Sequence, residues 1–98
     1  MSESTIRIDH EENGGGGVFY LFDHETRAAR LTYSVVGDDE ITLDYVEVYP
    51  AYRRQGYARE LVDHIAKFAR RRQVLITPIC GVAGGILKSD PQYEDVLR

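Results

Sequence analysis

One short stretch decides the fold of this chain, and it reads Val48-Tyr49-Pro50-Ala51-Tyr52-Arg53-Arg54-Gln55-Gly56-Tyr57-Ala58. Before it, apolar residues alternate with polar ones as in a β-strand, and after it they recur at the spacing of an amphipathic helix. The first amides of a helix have no intrahelical acceptor and lie at the positive end of the helix dipole. The stretch therefore predicts an anion site at which backbone N–H groups bind a diphosphate directly.

The side chains of the stretch fit an anion site. Gly56 lets the backbone approach phosphate oxygens without an intervening Cβ. Ala58 keeps the first helical turn thin, and Arg53 and Arg54 add positive charge. The same residues are also compatible with an ordinary helix start carrying solvated arginines, so chemistry alone leaves two interpretations open.

The chain before this stretch is typical of an antiparallel β-meander. Alternating apolar residues predict strands at Ile6 and Ile8 and over residues 18–22, 28–36 and 41–48, with turns at 23–26 and 37–40. In the last strand the alternation places Ile41, Leu43, Tyr45 and Glu47 on one face, and Thr42, Asp44, Val46 and Val48 on the other. The run Gly14-Gly15-Gly16-Gly17 predicts a flexible turn rather than a phosphate loop, because the Lys-Ser/Thr of a P-loop does not follow it.

The chain after the stretch predicts a crossover. Apolar spacing indicates a helix over 57–72 and then a buried strand over 74–77, which should lie parallel to strand 41–48. A short helix over 81–88 follows, and Pro91 opens a last helical turn that runs to the C-terminus. We therefore expect an α+β fold in a single domain over residues 1–98.

Composition excludes several classes of protein. The net charge of −4 argues against a nucleic-acid binder, which needs a basic surface. A single cysteine excludes an internal disulfide, and no signal peptide or long apolar run is present, so we expect a cytoplasmic protein without a membrane span. The scattered residues His10, His24 and His64 lack metal-ligand spacing, so no metal is expected.

Three spaced motifs resemble those of one protein family. Residues 53–58 match the Q/R-x-x-G-x-G/A signature for acetyl-CoA in the GNAT N-acetyltransferase superfamily. The order of motifs is similar to that of the minimal GNAT-like proteins, of about a hundred residues. They carry V-x-P-x-x-R-G-x-G, then P-x-C, then H-P-E-Y. This chain supplies residues 48–56, then Pro78-Ile79-Cys80, then Asp90-Pro91-Gln92-Tyr93.

The resemblance implies a GNAT-like fold in which two parallel strands separate and the pantetheine arm of coenzyme A enters the gap. It implies that the amides of residues 54–58 hold the pyrophosphate and that backbone groups near Glu47 and Val48 pair with the pantetheine. The cofactor-binding residues are then Val48, Arg53, Arg54, Gln55, Gly56, Tyr57 and Ala58. The thioester of acetyl-CoA, the co-substrate, would end near Cys80.

Two residues are candidate catalytic groups. Cys80 could accept the acetyl group covalently, lie beside the thioester, or be inert packing. Glu47 could act as a base or orient a water, as a glutamate does in several GNAT enzymes, or simply face solvent. Relatives place His-Thr where this chain has Tyr45-Val46, and their alanines appear as Gly84-Gly85. Larger GNAT enzymes often carry a tyrosine that acts as a general acid in the helix after the last parallel strand. The nearest positions here are Ile86 and Leu87, and neither side chain can serve as an acid.

Two functions follow as hypotheses. The first is an acetyl-CoA-dependent N-acetyltransferase whose acceptor is an amine, either a small molecule or a protein lysine or N-terminus. The alternative is a non-catalytic or weakly catalytic module that binds coenzyme A or acyl-CoA. In either case we expect a monomer or weak dimer that binds no nucleic acid.

Overall fold

A computed structural model describes residues 5–98, so the first residues of the domain expected over 1–98 lie outside it. The helices and strands are β1 (Ile6–Asn13), β2 (Gly16–Asp23), β3 (Thr26–Val35), β4 (Glu40–Val48), α1 (Tyr57–Arg72), β5 (Leu75–Pro78) and α2 (Gly81–Ser89). Short 3₁₀ turns at Pro50–Tyr52 and Pro91–Tyr93 complete the ordered elements.

The strands form one sheet in the order β1-β2-β3-β4-β5. The pairs from β1 to β4 are antiparallel, whereas β4 and β5 are parallel and are joined through α1. A parallel pair needs a crossover connection, and α1 supplies it. The α+β fold class, the meander and the parallel strand are thus confirmed.

One face of the sheet is covered by α1 and forms the core. The buried face of the helix consists of Tyr57, Leu61, Val62, Ile65, Ala66, Phe68 and Ala69, which packs on sheet residues such as Phe19, Leu31 and Leu43. The opposite face, here called the open face, carries Tyr20, Arg30, Thr32, Ser34 and Tyr45, all partly or largely exposed. Of the helices in the described residues, none combines the length and hydropathy that a membrane span requires.

The predicted faces of β4 are wrong beyond Leu43. Tyr33 pairs with Leu43 but Thr32 pairs with Tyr45, which leaves Asp44 as the extra residue of a β-bulge. A bulge shifts the alternation by one position. Val46 is therefore buried with Ile41 and Leu43, whereas Tyr45 and Glu47 lie on the open face with Thr42 and Asp44.

The glycine run is also more than a flexible turn. Gly14 and Gly15 form the turn between β1 and β2, but Gly16 and Gly17 are strand residues paired with Ser34 and Tyr33. A Cβ on Gly16 would lie 2.2 Å from the Tyr33 carbonyl oxygen, and one on Gly17 would lie 2.6 Å from the Tyr33 hydroxyl. A Cβ on Gly17 would also lie 2.6 Å from the Glu11 carbonyl oxygen of β1. These two positions are therefore restricted to glycine by close packing of β2 on its neighbouring strands.

The C-terminus differs from the prediction as well. The helical turn opened by Pro91 ends at Tyr93, and the last residues run beside β5 instead. The Ile76 N–H donates to the Val96 carbonyl at 2.6 Å, and the Arg98 N–H donates to the Ile76 carbonyl at 2.9 Å. The free edge of β5 presents buried backbone groups that need partners, and the C-terminal segment satisfies them.

Two histidines lie in an aromatic cluster near the end of α1. The ring of His10 stacks on Phe19 at 4.0 Å between centroids and shares a 2.7 Å hydrogen bond with the Tyr33 hydroxyl. His64 meets the same Phe19 ring edge-on at 5.3 Å. Burial lowers the pKa of both histidines. Arg72 and Arg71 lower the pKa of His10 further, whereas Glu12 raises it. Arg71 and Lys67 lower the pKa of His64 further, whereas Asp63 raises it.

We predict that these histidines make the protein less stable in mild acid. A lowered pKa means that the folded state binds fewer protons than the unfolded state in the pH range where histidine titrates. The free energy of unfolding is therefore highest above the pKa of histidine in the unfolded state, about 6.5, and falls as the pH drops below it. Urea unfolding at about pH 7.5 and about pH 5.5 should show a lower midpoint at the acidic pH. The His64→Gln variant should show a smaller difference, and an equal difference would contradict the prediction.

Candidate coenzyme A site

The two parallel strands separate at Leu43. Pairing of β4 with β5 ends at the Leu43–Pro78 pair, and the Leu43 carbonyl accepts from the amides of Ile79 at 2.9 Å and Cys80 at 3.3 Å. Beyond this point β4 continues to Val48, and in the described part of the chain no strand pairs with its β5-facing edge. The edge therefore offers backbone groups to an extended ligand, as an exposed strand edge does.

A cleft of about 300 Å³ lies along this free edge. It brings together Glu47 and Val48 on β4 with Arg53 and Ala58, all four of them predicted site residues or their neighbours in the stretch of residues 48–58, here called the anion stretch. Its remaining lining residues are Tyr45, Val46 and Val82. Val82, at the start of α2, was not predicted; it is exposed although it is apolar.

The start of α1 has the backbone shape of an anion site. Arg54 has φ 68° and Gly56 has φ 80°, both in the left-handed region. Gln55 between them is not left-handed, so the backbone conformation alternates from residue to residue. Such an alternation turns successive N–H groups toward a common point and forms an anion-binding concavity. The first helical hydrogen bond runs from the Glu60 amide to the Gly56 carbonyl, so the amides before Glu60 have no acceptor within the helix.

The arginines of the stretch leave their charge available. Arg53 and Arg54 are both exposed, and among residues 5–98 neither forms an ion pair. The Arg53 Nε donates to the Val48 carbonyl at 3.2 Å, which holds the guanidinium beside the end of β4. Gln55 is likewise exposed. The site is thus electropositive although the chain carries a net charge of −4.

Tyr57 fixes the first turn of α1 to the sheet. Its side chain is buried, and its hydroxyl donates to Asp23 Oδ2, at the end of β2, at 2.6 Å. This hydrogen bond to Asp23 raises the pKa of Tyr57 to about 12, and the same bond and one with His24 lower the pKa of Asp23. The phenol therefore remains a donor at neutral pH, and the contact joins the anion stretch to the β2–β3 turn.

We predict that Tyr57→Phe weakens binding of coenzyme A. The variant keeps the buried ring but loses the bond to Asp23, so the first turn of α1 can move relative to β4. The Kd for coenzyme A should rise about five-fold, equivalent to about 1 kcal/mol, because the lost bond lies within the protein and acts on the site only through the position of α1. Calorimetric titration measures the change. Tyr20→Phe, on the open face, is the matched control, and an equal effect of both variants would contradict the prediction.

The two candidate catalytic residues occupy different surroundings. Glu47 is engaged on the open face, where its Oε1 accepts from Arg30 Nε at 3.1 Å. Cys80 is half-buried at the N-terminus of α2, and its backbone lies where β4 and β5 separate. Its side chain is not part of the cleft lining. The structure therefore places Glu47 in the cleft lining, and Cys80 outside that lining, where the two strands separate.

The C-terminal Asp90-Pro91-Gln92-Tyr93 segment packs against α1 close to the anion site. Asp90 accepts from Arg59 at 3.3 Å, and the buried Tyr93 donates to Asp63 at 3.2 Å. The Asp90 side chain also accepts from the Gln92 amide at 3.1 Å. This motif thus supports the helix that carries the anion site. Among residues 5–98, no group of histidine, cysteine or carboxylate side chains is arranged to hold a metal ion.

A mixed sheet that opens at its parallel pair, next to a crossover helix with a left-handed glycine at its start, defines the class of acyl-CoA N-acyltransferases. Comparison with known proteins supports this class. Residues 18–96 match the family model described as GCN5-related N-acetyl-transferase. The chain belongs to the GCN5-related N-acetyltransferase (GNAT) family. No curated protein sequence matches it.

Solved structures show the same fold. The NMR solution structure of a GCN5-like protein from Staphylococcus aureus has a TM-score of 0.76 and 28% identity, covering 98% of this chain and 91% of that one. The ribosomal-protein-S18-alanine N-acetyltransferase from Escherichia coli has a TM-score of 0.68 and 28% identity, covering 80% of this chain and 53% of that one. An Elizabethkingia anophelis GNAT acetyltransferase with acetyl-CoA bound shares the fold at a TM-score of 0.72 and 10% identity, covering 93% of this chain and 76% of that one.

Proposed function

We propose that this chain, as one domain, moves an acetyl group from acetyl-CoA to an amine, and that its cleft between β4 and β5 holds the donor. The pyrophosphate lies on the amides of residues 54–58, with Arg53 and Arg54 adding charge. The pantetheine runs along Val48 and Glu47 toward Cys80. One observation carries this proposal: the strand edge freed beyond Leu43 is followed, after one 3₁₀ turn, by the left-handed turn at Gly56.

The reaction requires an attacking amine and a stabilised oxyanion. The amine nitrogen forms a bond to the thioester carbonyl carbon, the C–S bond breaks, and the coenzyme A thiolate leaves and takes a proton. A lysine amine titrates at about 10.4, so its proton must be removed before attack. A backbone N–H on the free edge of β4 is the natural oxyanion donor, because it is fixed in place before the reaction.

Glu47 and Cys80 are the proposed catalytic residues. Glu47 orients the amine or a water and must release Arg30 to accept a proton. Cys80 lies beside the thioester and is available for a covalent acetyl intermediate. The ion pair of Glu47 with Arg30 is the observation that favours the second candidate function, a module that binds acyl-CoA with little or no turnover.

Calorimetry with coenzyme A and with pantetheine, which lacks the pyrophosphate, tests the donor site. Coenzyme A should bind at least about 100-fold more tightly, because several amide and arginine contacts to phosphate are lost in pantetheine. Equal binding of the two compounds would place the ligand elsewhere. Absence of heat at millimolar coenzyme A would overturn both candidate functions.

Mass spectrometry of the protein after a single turnover with acetyl-CoA tests the covalent role of Cys80. Acetylation confined to the peptide that contains Cys80 supports the role. A Cys80→Ala variant that transfers acetyl groups at the normal rate rules it out. Transfer without any acetylated protein supports direct attack by the amine, whereas binding without transfer supports the non-catalytic module.

The acceptor and the assembly are further parts of the proposal. We propose an amine on a small molecule or on a protein lysine or N-terminus, reached at an open cleft. The E. coli enzyme, named for a ribosomal-protein alanine, supports a protein acceptor. The net charge of −4 supports a protein without nucleic-acid partners. We further propose that it acts in the cytoplasm as a monomer or weak dimer.

A further inference from the structure

Apolar side chains lie at the end of the donor cleft that is farthest from the anion stretch. Arg53 marks the near end, because it donates to the Val48 carbonyl at 3.2 Å. Tyr45 is the lining residue of β4 farthest along the strand from Val48, and Val82, at the start of α2, belongs to the same lining. The pantetheine is proposed to run from Val48 toward Cys80, so the acyl group of the donor would lie at this far end.

The far end exposes more apolar surface than the packing of the domain explains. Tyr45 is 46% exposed and Val82 is 58% exposed. Ile79, which directly precedes Cys80 and whose amide is held where the strands separate, is 65% exposed. Among the described residues, five large apolar side chains are exposed, and the two besides these three lie where β3 ends. Exposed apolar side chains grouped at one place are typical of a binding site. Tyr45, Ile79 and Val82 are here called the apolar rim.

An acetyl group leaves most of the apolar rim uncovered. It carries a single methyl group beyond the thioester carbonyl, whereas the rim consists of a phenol ring and two branched aliphatic side chains. Removal of apolar surface from water is favourable in proportion to the area buried. The one carboxylate among the described residues of the cleft lining, Glu47, is paired with Arg30. A donor with a longer alkyl chain would therefore gain free energy at the rim.

We propose that the donor site takes acyl groups longer than acetyl, with the alkyl chain of the donor lying on the apolar rim. This inference rests on the proposed function, because that function directs the acyl end of the donor toward Cys80. The occupant of the rim is the donor itself, since Tyr45 and Val82 make the rim continuous with the donor cleft. The donor class is thus a short- to medium-chain acyl-CoA, such as butyryl-CoA or hexanoyl-CoA.

Calorimetric titration with S-ethyl, S-butyl and S-hexyl coenzyme A tests this binding of the chain. These thioethers cannot transfer their chains, so binding is measured without turnover. The Kd should fall about two-fold for each added methylene group, which is half the free energy of complete burial, because the rim covers one side of the chain. S-hexyl coenzyme A should therefore bind about 15-fold more tightly than S-ethyl coenzyme A.

The double variant Ile79→Thr/Val82→Thr keeps the branched shape of both side chains but makes the rim polar. Both side chains are exposed, so the core is unchanged. With Tyr45 alone remaining, S-hexyl coenzyme A should bind at most about three-fold more tightly than S-ethyl coenzyme A. Val35→Thr is the matched control, because Val35 is 47% exposed but lines a separate cavity with Phe68. This control should keep the full gain.

The outcomes separate this inference from the proposed function. Equal affinities for the three thioethers in the wild type, or a full gain in the double variant, would overturn the inference. The wild-type series decides the matter even when a variant does not fold. Equal affinities together with self-association in sedimentation that the double variant abolishes would assign the rim to a second copy of this chain. If coenzyme A without a chain does not bind, the proposed function fails first.

Discussion

Replacing Gly56 with alanine is expected to raise the Kd for coenzyme A about 30-fold, because a non-glycine residue costs about 1–2 kcal/mol in the left-handed region and the turn relaxes out of it. Gly56 has φ 80°. Relaxation rotates the amides of residues 54–58 away from their common point. In the unliganded protein nothing lies within 4 Å of an added Cβ at Gly56, so the constraint comes from backbone conformation and from the phosphate that must approach.

Calorimetry with coenzyme A measures this effect, and Gly85→Ala provides the matched control. Gly85 is an exposed helical glycine with open space around an added Cβ. The control variant should bind coenzyme A as the wild type does, and its free energy of unfolding should rise by roughly 0.5–1 kcal/mol, since alanine favours the helix. Unchanged affinity in Gly56→Ala would show that the pyrophosphate does not bind at this turn.

Replacing Gly16 with alanine is expected to lower the free energy of unfolding by about 3 kcal/mol, at the upper end of overpacking costs. The new Cβ would lie 2.2 Å from the Tyr33 carbonyl oxygen and 3.0 Å from the Ser34 Cα. Both atoms belong to the backbone of β3, which cannot rotate away as a side chain can. Either β2 separates from β3 locally or the hairpin changes register. Urea unfolding measures the loss.

Gly37→Ala is the control for Gly16. Gly37 lies in the β3–β4 turn, has nothing within 4 Å of an added Cβ, and is not among the glycines with positive φ. Its replacement should change the free energy of unfolding by less than about 1 kcal/mol, through the unfolded state. If Gly16→Ala were equally mild, the close packing of β2 on β3 would be disproved.

The local periodicity of the sequence predicted helix and strand positions well. The helix predicted over residues 57–72 is observed with the same bounds, because the spacing of Leu61, Val62 and Ile65 reflects the geometry of the segment itself. The crossover and the parallel strand followed from that change of period. The anion stretch could be located because a glycine next to a helix start is a local feature.

The bulge at Asp44 could not be predicted in the same way. The residues from Leu43 to Val46 are compatible with regular alternation, and only pairing with Thr32 and Tyr33 of β3 shows the extra residue. The ion pair between Glu47 and Arg30 and the bond between Tyr57 and Asp23 likewise join positions far apart in the chain. Such contacts depend on the register between strands, which no single segment encodes.

The sequence by itself therefore determined the class of fold, the position of the crossover helix and the stretch of residues 48–58 that we propose holds the pyrophosphate. Each of these follows from interactions within a short segment, where side-chain spacing and backbone chemistry act together. The tertiary structure alone decided where β4 leaves β5 and which β4 side chains lie on the open face. It placed Tyr45 and Glu47 there with Asp44, because a single unpaired residue in β4 shifts every side chain after it to the other face.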